Sequence, residues 1–160
     1  LLSALRILKA QGNCPMCLLV GTGLETGNTA LVKQITALGL GEHVKLLGRR
    51  NDIPSIMNAL EIHVMSSAFG EAFPNVLSEA MACGTPCVST DVGDAAAIIG
   101  NTGLVVPPRD PHALANAINM LLAERDTPEW NQRREAARRH VAENFSIERM
   151  VASYNETWLD

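Results

Sequence analysis

Five short apolar runs recur along the chain, at residues 17–20, 44–48, 61–65, 86–89 and 103–106, each followed by a stretch with helical signals. Short apolar strands alternating with helices are the pattern of a doubly wound, mostly parallel α/β sheet covered on both faces. In such sheets ligands bind beyond the carboxyl ends of the strands. The loops at 21–23, 48–51, 66–71 and 89–94 all leave those ends, so four loops are expected to converge on one edge.

The helical segments carry their own punctuation. Residues 1–11 have apolar side chains at 1, 2, 5 and 8, with Gly12 as the stop. Asn28 or Thr29 suits the start of a helix to about residue 38, and Asp52 suits the cap of a short helix through Ala59. Asp110-Pro111 and Thr127-Pro128 each pair a cap with a first-turn proline. Ser146 suits the cap of a last helix, with a stripe of Ile147, Met150, Val151, Tyr154 and Trp158. Arg133, Arg134, Arg138 and Arg139 lie beside Glu135 and Glu143, which reads most simply as a solvated face and alternatively as a membrane- or partner-facing patch.

Residues 68–86 carry the most chemistry. They read as a strand exit, a tight loop, a helix, a glycine stop and the next strand. Pro74 suits the first helical turn and Gly84 the position just past the end. Glu71 stands in the loop before the helix, and Glu79 about 7 Å along its axis. Between them the backbone N–H groups of Asn75, Val76 and Leu77 are expected to be free, which makes that end an anion site. The layout fits a ligand with a hydroxylated group, a pyrophosphate and a second hydroxylated group, the order found in nucleotide sugars.

Residues 66–111 resemble the donor-binding half of retaining glycosyltransferases of family 4, which have the GT-B fold. The family pattern, E-G-F-P-N-V-x-x-E-A-M-A-x-G-x-P-V, is met here by Glu71, Phe73, Pro74, Asn75, Val76, Glu79, Ala80, Met81, Ala82, Gly84 and Pro86. The chain departs at Ala72, usually Gly, whose β-carbon is expected to crowd the loop, and at Cys87, usually Val. The resemblance implies that Glu71 is the catalytic residue beside the transferred sugar. It implies that Glu79 binds the ribose hydroxyls, and that the backbone N–H groups of Ala72, Phe73, Asn75, Val76 and Leu77 meet sugar and phosphate. Arg49 and Arg50 fall where the family lines the base pocket, with Gly21 and Gly23 flanking it. Taken alone, Gly21-x-Gly23 is equally a plain turn.

The resemblance further implies that residues 1–160 form one nucleotide-sugar donor-binding domain of a longer enzyme. A first strand, central between residues 17–20 and 62–65, and an N-terminal acceptor domain would precede it. The implied reaction moves a sugar from a nucleoside diphosphate to a glycan, lipid or small-molecule acceptor with the anomeric configuration kept. It needs no cofactor and, with no Asp-x-Asp site in the sequence, no metal. A nucleotide-sugar epimerase of similar fold and a non-catalytic nucleotide-binding module are the alternatives.

Composition sets outer bounds. With 47% apolar and 19% charged residues over 160 positions, the chain is a globular domain. A net charge of −4 argues against a nucleic-acid partner. Cys14-x-x-Cys17 suits half a zinc site or a redox pair, but Cys17 opens an apolar strand and Cys83 and Cys87 sit at small core positions. Structural, reduced cysteines are the expectation, and with them a cytoplasmic location, at the inner face of the membrane if the association is peripheral. His63, in mid-strand, reads as a satisfied core residue.

Overall fold

The computed structural model describes residues 1–158. In chain order the elements are α1 (Leu2–Ala10), β1 (Cys17–Val20), α2 (Thr29–Ala37), β2 (Val44–Gly48), α3 (Ile53–Ala59), β3 (His63–Met65), α4 (Asn75–Ala82), β4 (Cys87–Thr90), α5 (Ala95–Ile99), β5 (Leu104–Val106), α6 (Pro111–Ala123), α7 (Pro128–Asn144) and α8 (Ile147–Trp158). The α/β alternation is as expected. The third strand starts later, at His63, where its ladder with β4 begins opposite Cys87; Glu61 is exposed, 3.6 Å from Arg125.

All strand pairs are parallel, but they form two sheets. One is β1–β2, with Cys17 opposite Val44. The other is β3–β4–β5, with Val64 opposite Val88 and Val88 opposite Leu104. Helices cover both faces of the three-stranded sheet. Val88 packs on one side with Leu5 and Leu8 of α1 and Leu114, Ile118 and Leu121 of α6. Its neighbour Cys87 packs on the other with Leu77 and Met81 of α4, Ile98 and Ile99 of α5 and Val141 of α7. That one-residue switch of faces is the period-two geometry of a strand.

β1 and β3 do not pair with each other. A cavity of about 630 Å³ separates them, lined by Cys17–Val20 on one side and Ile62–Met65 on the other, with Leu5 and Ile118 among its remaining walls. Each facing edge therefore carries ladder N–H and C=O groups without strand partners.

Three helices end on the same device. After α1, α2 and α4, a glycine with positive φ donates to the carbonyl three residues back, and the next residue reaches five back. At α4 these bonds are Gly84 N–H to Met81 O at 2.8 Å and Thr85 N–H to Ala80 O at 2.9 Å. This is the Schellman arrangement, which uses up orphan carbonyls and turns the chain sharply. Side-chain caps at Asn28, Asp110, Thr127 and Ser146 hold the starts of α2, α6, α7 and α8. Asp52 does not cap α3: Arg50 takes its carboxylate, with Nε and Nη2 at 2.8 and 2.7 Å.

The solvated-face reading of the α7 arginines holds only in part: Arg138 and Arg139 are exposed, but Arg133, Arg134 and Arg138 have specific partners. Arg133 makes a two-point ion pair with Glu124 at 2.7 Å and donates to Thr102 O at 3.2 Å. Arg134 donates to Gly84 O at 2.9 Å, and Arg138 to Ala82 O and Cys83 O at 3.1 and 3.2 Å. These cations lie at the negative end of the α4 dipole and satisfy its last carbonyls.

The thiols sit in apolar surroundings. Burial pushes Cys17 up to about 11 and raises Cys14 and Cys87 as well. Thiols of that kind are poor nucleophiles at neutral pH. The expectation for His63 is corrected: its ring Nε2 is shielded from solvent and has no hydrogen-bond partner. Burial lowers its pKa from 6.5 to about 4. The folded state therefore binds fewer protons than the unfolded state between those values, and stability falls as pH drops from 6.5 toward 4. His63→Leu should flatten the pH dependence of chemical denaturation in that window, by up to about 1.4 kcal/mol per pH unit. An unaltered slope in the variant would show that His63 is accommodated in its charged form.

Candidate donor site

Val20, at the carboxyl end of β1, and Leu24, in the loop after it, form one rim of the cavity. Gly21 N–H donates to Gly48 O at 2.9 Å, and Gly48 N–H to Leu24 O at 2.9 Å, so the loop after β1 folds onto the end of β2. Asn28 Nδ2 holds Gly23 O at 2.8 Å while its Oδ1 caps α2. Gly21, Gly23, Arg49 and Arg50 are thereby brought together. Arg49 and Arg50 are exposed, and the Arg50 guanidinium is occupied by Asp52.

The loop from β3 to α4 forms the other rim. Helix α4 starts at Asn75, so Pro74 stands at the cap position, one residue before its expected place, and no side chain caps the helix. Leu77 N–H is not free: it donates to Pro74 O at 3.0 Å, and the residue is fully buried. The open donors of the first turn are the N–H groups of Asn75 and Val76. Asn75 and Glu79 are exposed, and Val76 and Glu71 half-buried. Glu71 and Val76 also border the cavity, as do Val20 and Leu24 from the opposite rim.

Three contacts that local sequence patterns do not announce fix this loop. Ser67 Oγ donates to Glu71 Oε1 at 2.7 Å. Thr90 Oγ1, from the end of β4, donates to Ser67 O at 2.6 Å. Asp94 N–H donates to Ala72 O at 2.8 Å. Gly93 allows this last approach, since a β-carbon there would lie 2.3 Å from Ala72 O and 2.6 Å from Glu71 O. The only sequence signal was the turn at 91–94, with nothing to say what it touches.

Ala72 is corrected in the chain's favour. Its side chain is exposed. Among the described residues only Arg109 and Asp126 are non-glycine residues with positive φ, so the backbone at 72 does not call for glycine. Phe73 is 40% exposed and its ring meets Phe145, at the corner between α7 and α8, with centroids 5.6 Å apart.

An open helix start beside two carboxylates, beyond the ends of parallel strands, is where α/β folds commonly bind anions. Comparison with known proteins resolves the class. Residues 1–124 match the family model described as "Glycosyl transferases group 1". The D-inositol 3-phosphate glycosyltransferase of Salinispora tropica is 35% identical over 135 residues, covering 82% of this chain and 27% of that protein. A glycosyltransferase structure from Rickettsia africae superposes with TM-score 0.86 at 28% identity, covering 98% of this chain and 42% of that one. Anabaena HepE, solved in complex with UDP, gives 0.82 at 31% identity over 96% of this chain and 43% of its own. The chain belongs to the glycosyl transferases group 1 family, as a C-terminal domain of the GT-B fold. It spans well under half the length of these relatives.

Gly93→Ala tests how firmly the two loops are held together. The new β-carbon meets the backbone of Glu71 and Ala72, and φ is +53°. A cost of about 1–3 kcal/mol is expected from the backbone conformation alone. The melting temperature should fall by several degrees. Unchanged melting would mean both that the turn tolerates a side chain at this φ and that the 71–72 loop can step aside.

Proposed function

We propose that this chain binds a nucleoside-diphosphate sugar and presents it for retaining transfer to an acceptor. One observation carries the reading: the uncapped start of α4 offers the N–H groups of Asn75 and Val76 between the carboxylates of Glu71 and Glu79. The diphosphate would lie at the helix start, where the N–H groups and helix dipole favour the charge that builds as it leaves. Glu79 would accept the ribose hydroxyls and Glu71 those of the sugar. The backbone N–H groups of Ala72 and Phe73 would lie along the sugar and phosphate. The base would sit on the rim of Gly21, Gly23, Arg49 and Arg50. HepE, at 31% identity, has been solved with UDP and with UDP-glucose, which supports the donor class. The donor is a substrate, and the proposed reaction calls on no cofactor of the protein's own. The acceptor, a glycan or lipid-linked molecule, would be held by a further domain of the longer protein, with peripheral contact to the cytoplasmic face of a membrane.

Two variants of the full-length protein test the orientation. Glu79→Gln should weaken nucleoside-diphosphate binding about tenfold to hundredfold by calorimetry, as expected for losing a charged acceptor. Glu71→Ala should lower turnover far more than diphosphate affinity, because the diphosphate lacks the sugar. Unchanged affinity in the first, or equal losses in the second, would reverse the assignment.

The cavity between β1 and β3 fits a parallel strand, and we assign it to the segment preceding Leu1 in the longer protein. A strand–α1–β1 unit of the usual right hand needs such a strand beside β1, and Leu1 borders the cavity. Amides of β1 and β3 should then exchange slowly with deuterium in the full-length protein and quickly in residues 1–160 alone. Equal protection in both would mean that the cavity is not a strand site.

A further inference from the structure

The geometry points to Ser67 as a positioning residue for Glu71, an inference that rests on the reading of Glu71 as the sugar-side carboxylate. Ser67 stands just beyond the end of β3, four residues before Glu71, and its hydroxyl donates to Oε1 at 2.7 Å. Among the described residues, Glu71 Oε2 has no hydrogen-bond partner. The carboxylate is thus held by one oxygen, leaving the other available to a ligand hydroxyl. Ser67 is itself held: its carbonyl accepts from Thr90 Oγ1 at 2.6 Å, and Thr90 is buried in the central strand. On the far side, Asp94 N–H holds Ala72 O at 2.8 Å over a glycine that a β-carbon would displace. Backbone and side chain of Glu71 are therefore referenced separately to the exit of β4, the backbone through Asp94 and the carboxylate through Ser67.

A loop carboxylate has three side-chain torsions to lose on meeting a ligand. A donor built four residues upstream removes much of that freedom before the ligand arrives, which is preorganisation in the sense that speeds a chemical step. Ser67 donates to Glu71 and has no need to touch the sugar.

A double-mutant cycle in the full-length protein separates this role from a merely structural one. Nucleoside-diphosphate release would be followed with a panel of UDP-, GDP- and ADP-sugars, and each variant crystallised. Ser67→Ala should lower kcat about tenfold while leaving nucleoside-diphosphate affinity unchanged, and Ser67→Thr, which keeps the hydroxyl, should restore most of kcat. In a Glu71→Ala background the further change Ser67→Ala should alter kcat by less than about twofold, since its effect runs through the missing carboxylate. The Ser67→Ala crystal structure should show the Glu71 carboxylate displaced or spread over rotamers. An undisplaced carboxylate, or the same tenfold fall in the Glu71→Ala background, overturns the inference and leaves the reading of Glu71 standing. Full turnover in Glu71→Ala overturns that reading, and the inference with it. Should Ser67→Ala not fold, the ratio of Ser67→Thr to Ser67→Cys decides the matter, because a thiol is a weak donor to a carboxylate. Equal kcat in those two overturns the inference.

Discussion

Arg134 and Arg138 of α7 reach the carbonyls of Ala82, Cys83 and Gly84, and the geometry of the site follows from where this leaves α4. The helix is short, eight residues, and would be marginal alone. Its stability comes from outside. Leu77, Ala80 and Met81 are fully buried against α5 and the sheet, the Schellman turn closes its end, and the arginines supply cations where its dipole is negative. With the C-terminal end so fully satisfied, the unsatisfied groups of the helix concentrate at its start. That is where Pro74 withholds a side-chain cap and the N–H groups of Asn75 and Val76 stay open.

The same division runs through the sheet. The β3–β4–β5 half is closed by helices on both faces, and its loops are tied to one another across β4. The β1–β2 half is organised around glycines, with Gly21 bonded to Gly48. Phosphate and sugar chemistry belongs to the first half in the proposed function, and base recognition to the second. The first half adds long-range side-chain contacts to its strand ladders. Thr90 meets Ser67 across 23 positions and Arg134 meets Gly84 across 50.

That range explains what could be read from the chain beforehand. Strand and helix positions follow from local period and from caps such as Asn28, Asp110 and Thr127, whose partners lie within three residues. The motif around Glu71 and Glu79 is equally local, so its helix and both carboxylates were legible. Competition for a partner was not. Asp52 has the right type and place for a cap, yet Arg50, two residues back, offers it a two-point ion pair. Helix geometry alone leaves Leu77 N–H open, but the carbonyl of Pro74 lies 3.0 Å away once the proline occupies the cap. For Arg134 and Arg138, nothing in their own helix reveals the neighbouring helix end that they reach. Ser67 and Gly93 were ordinary loop residues until the exit of β4 was brought beside them.

The cavity between β1 and β3 then acquires a role in the site itself. Its upper border includes Val20 and Leu24 from one rim and Ser66, Ser67 and Glu71 from the other. A donor bridging base rim and helix start would span this gap, so the separation of its two ends depends on what lies between the two sheets. A strand there, paired on both edges, would set that separation at two interstrand spacings, roughly 9–10 Å. Without one, nothing in the backbone ladder links the rims, and a rigid two-ended ligand must order them at the moment of binding. The ordering cost falls on affinity. The carboxylate at Glu71 and the open start of α4 are held from β4 and α7, so they keep their geometry either way. Under the proposed function, such a domain would keep its phosphate-side geometry while losing its grip on the whole donor.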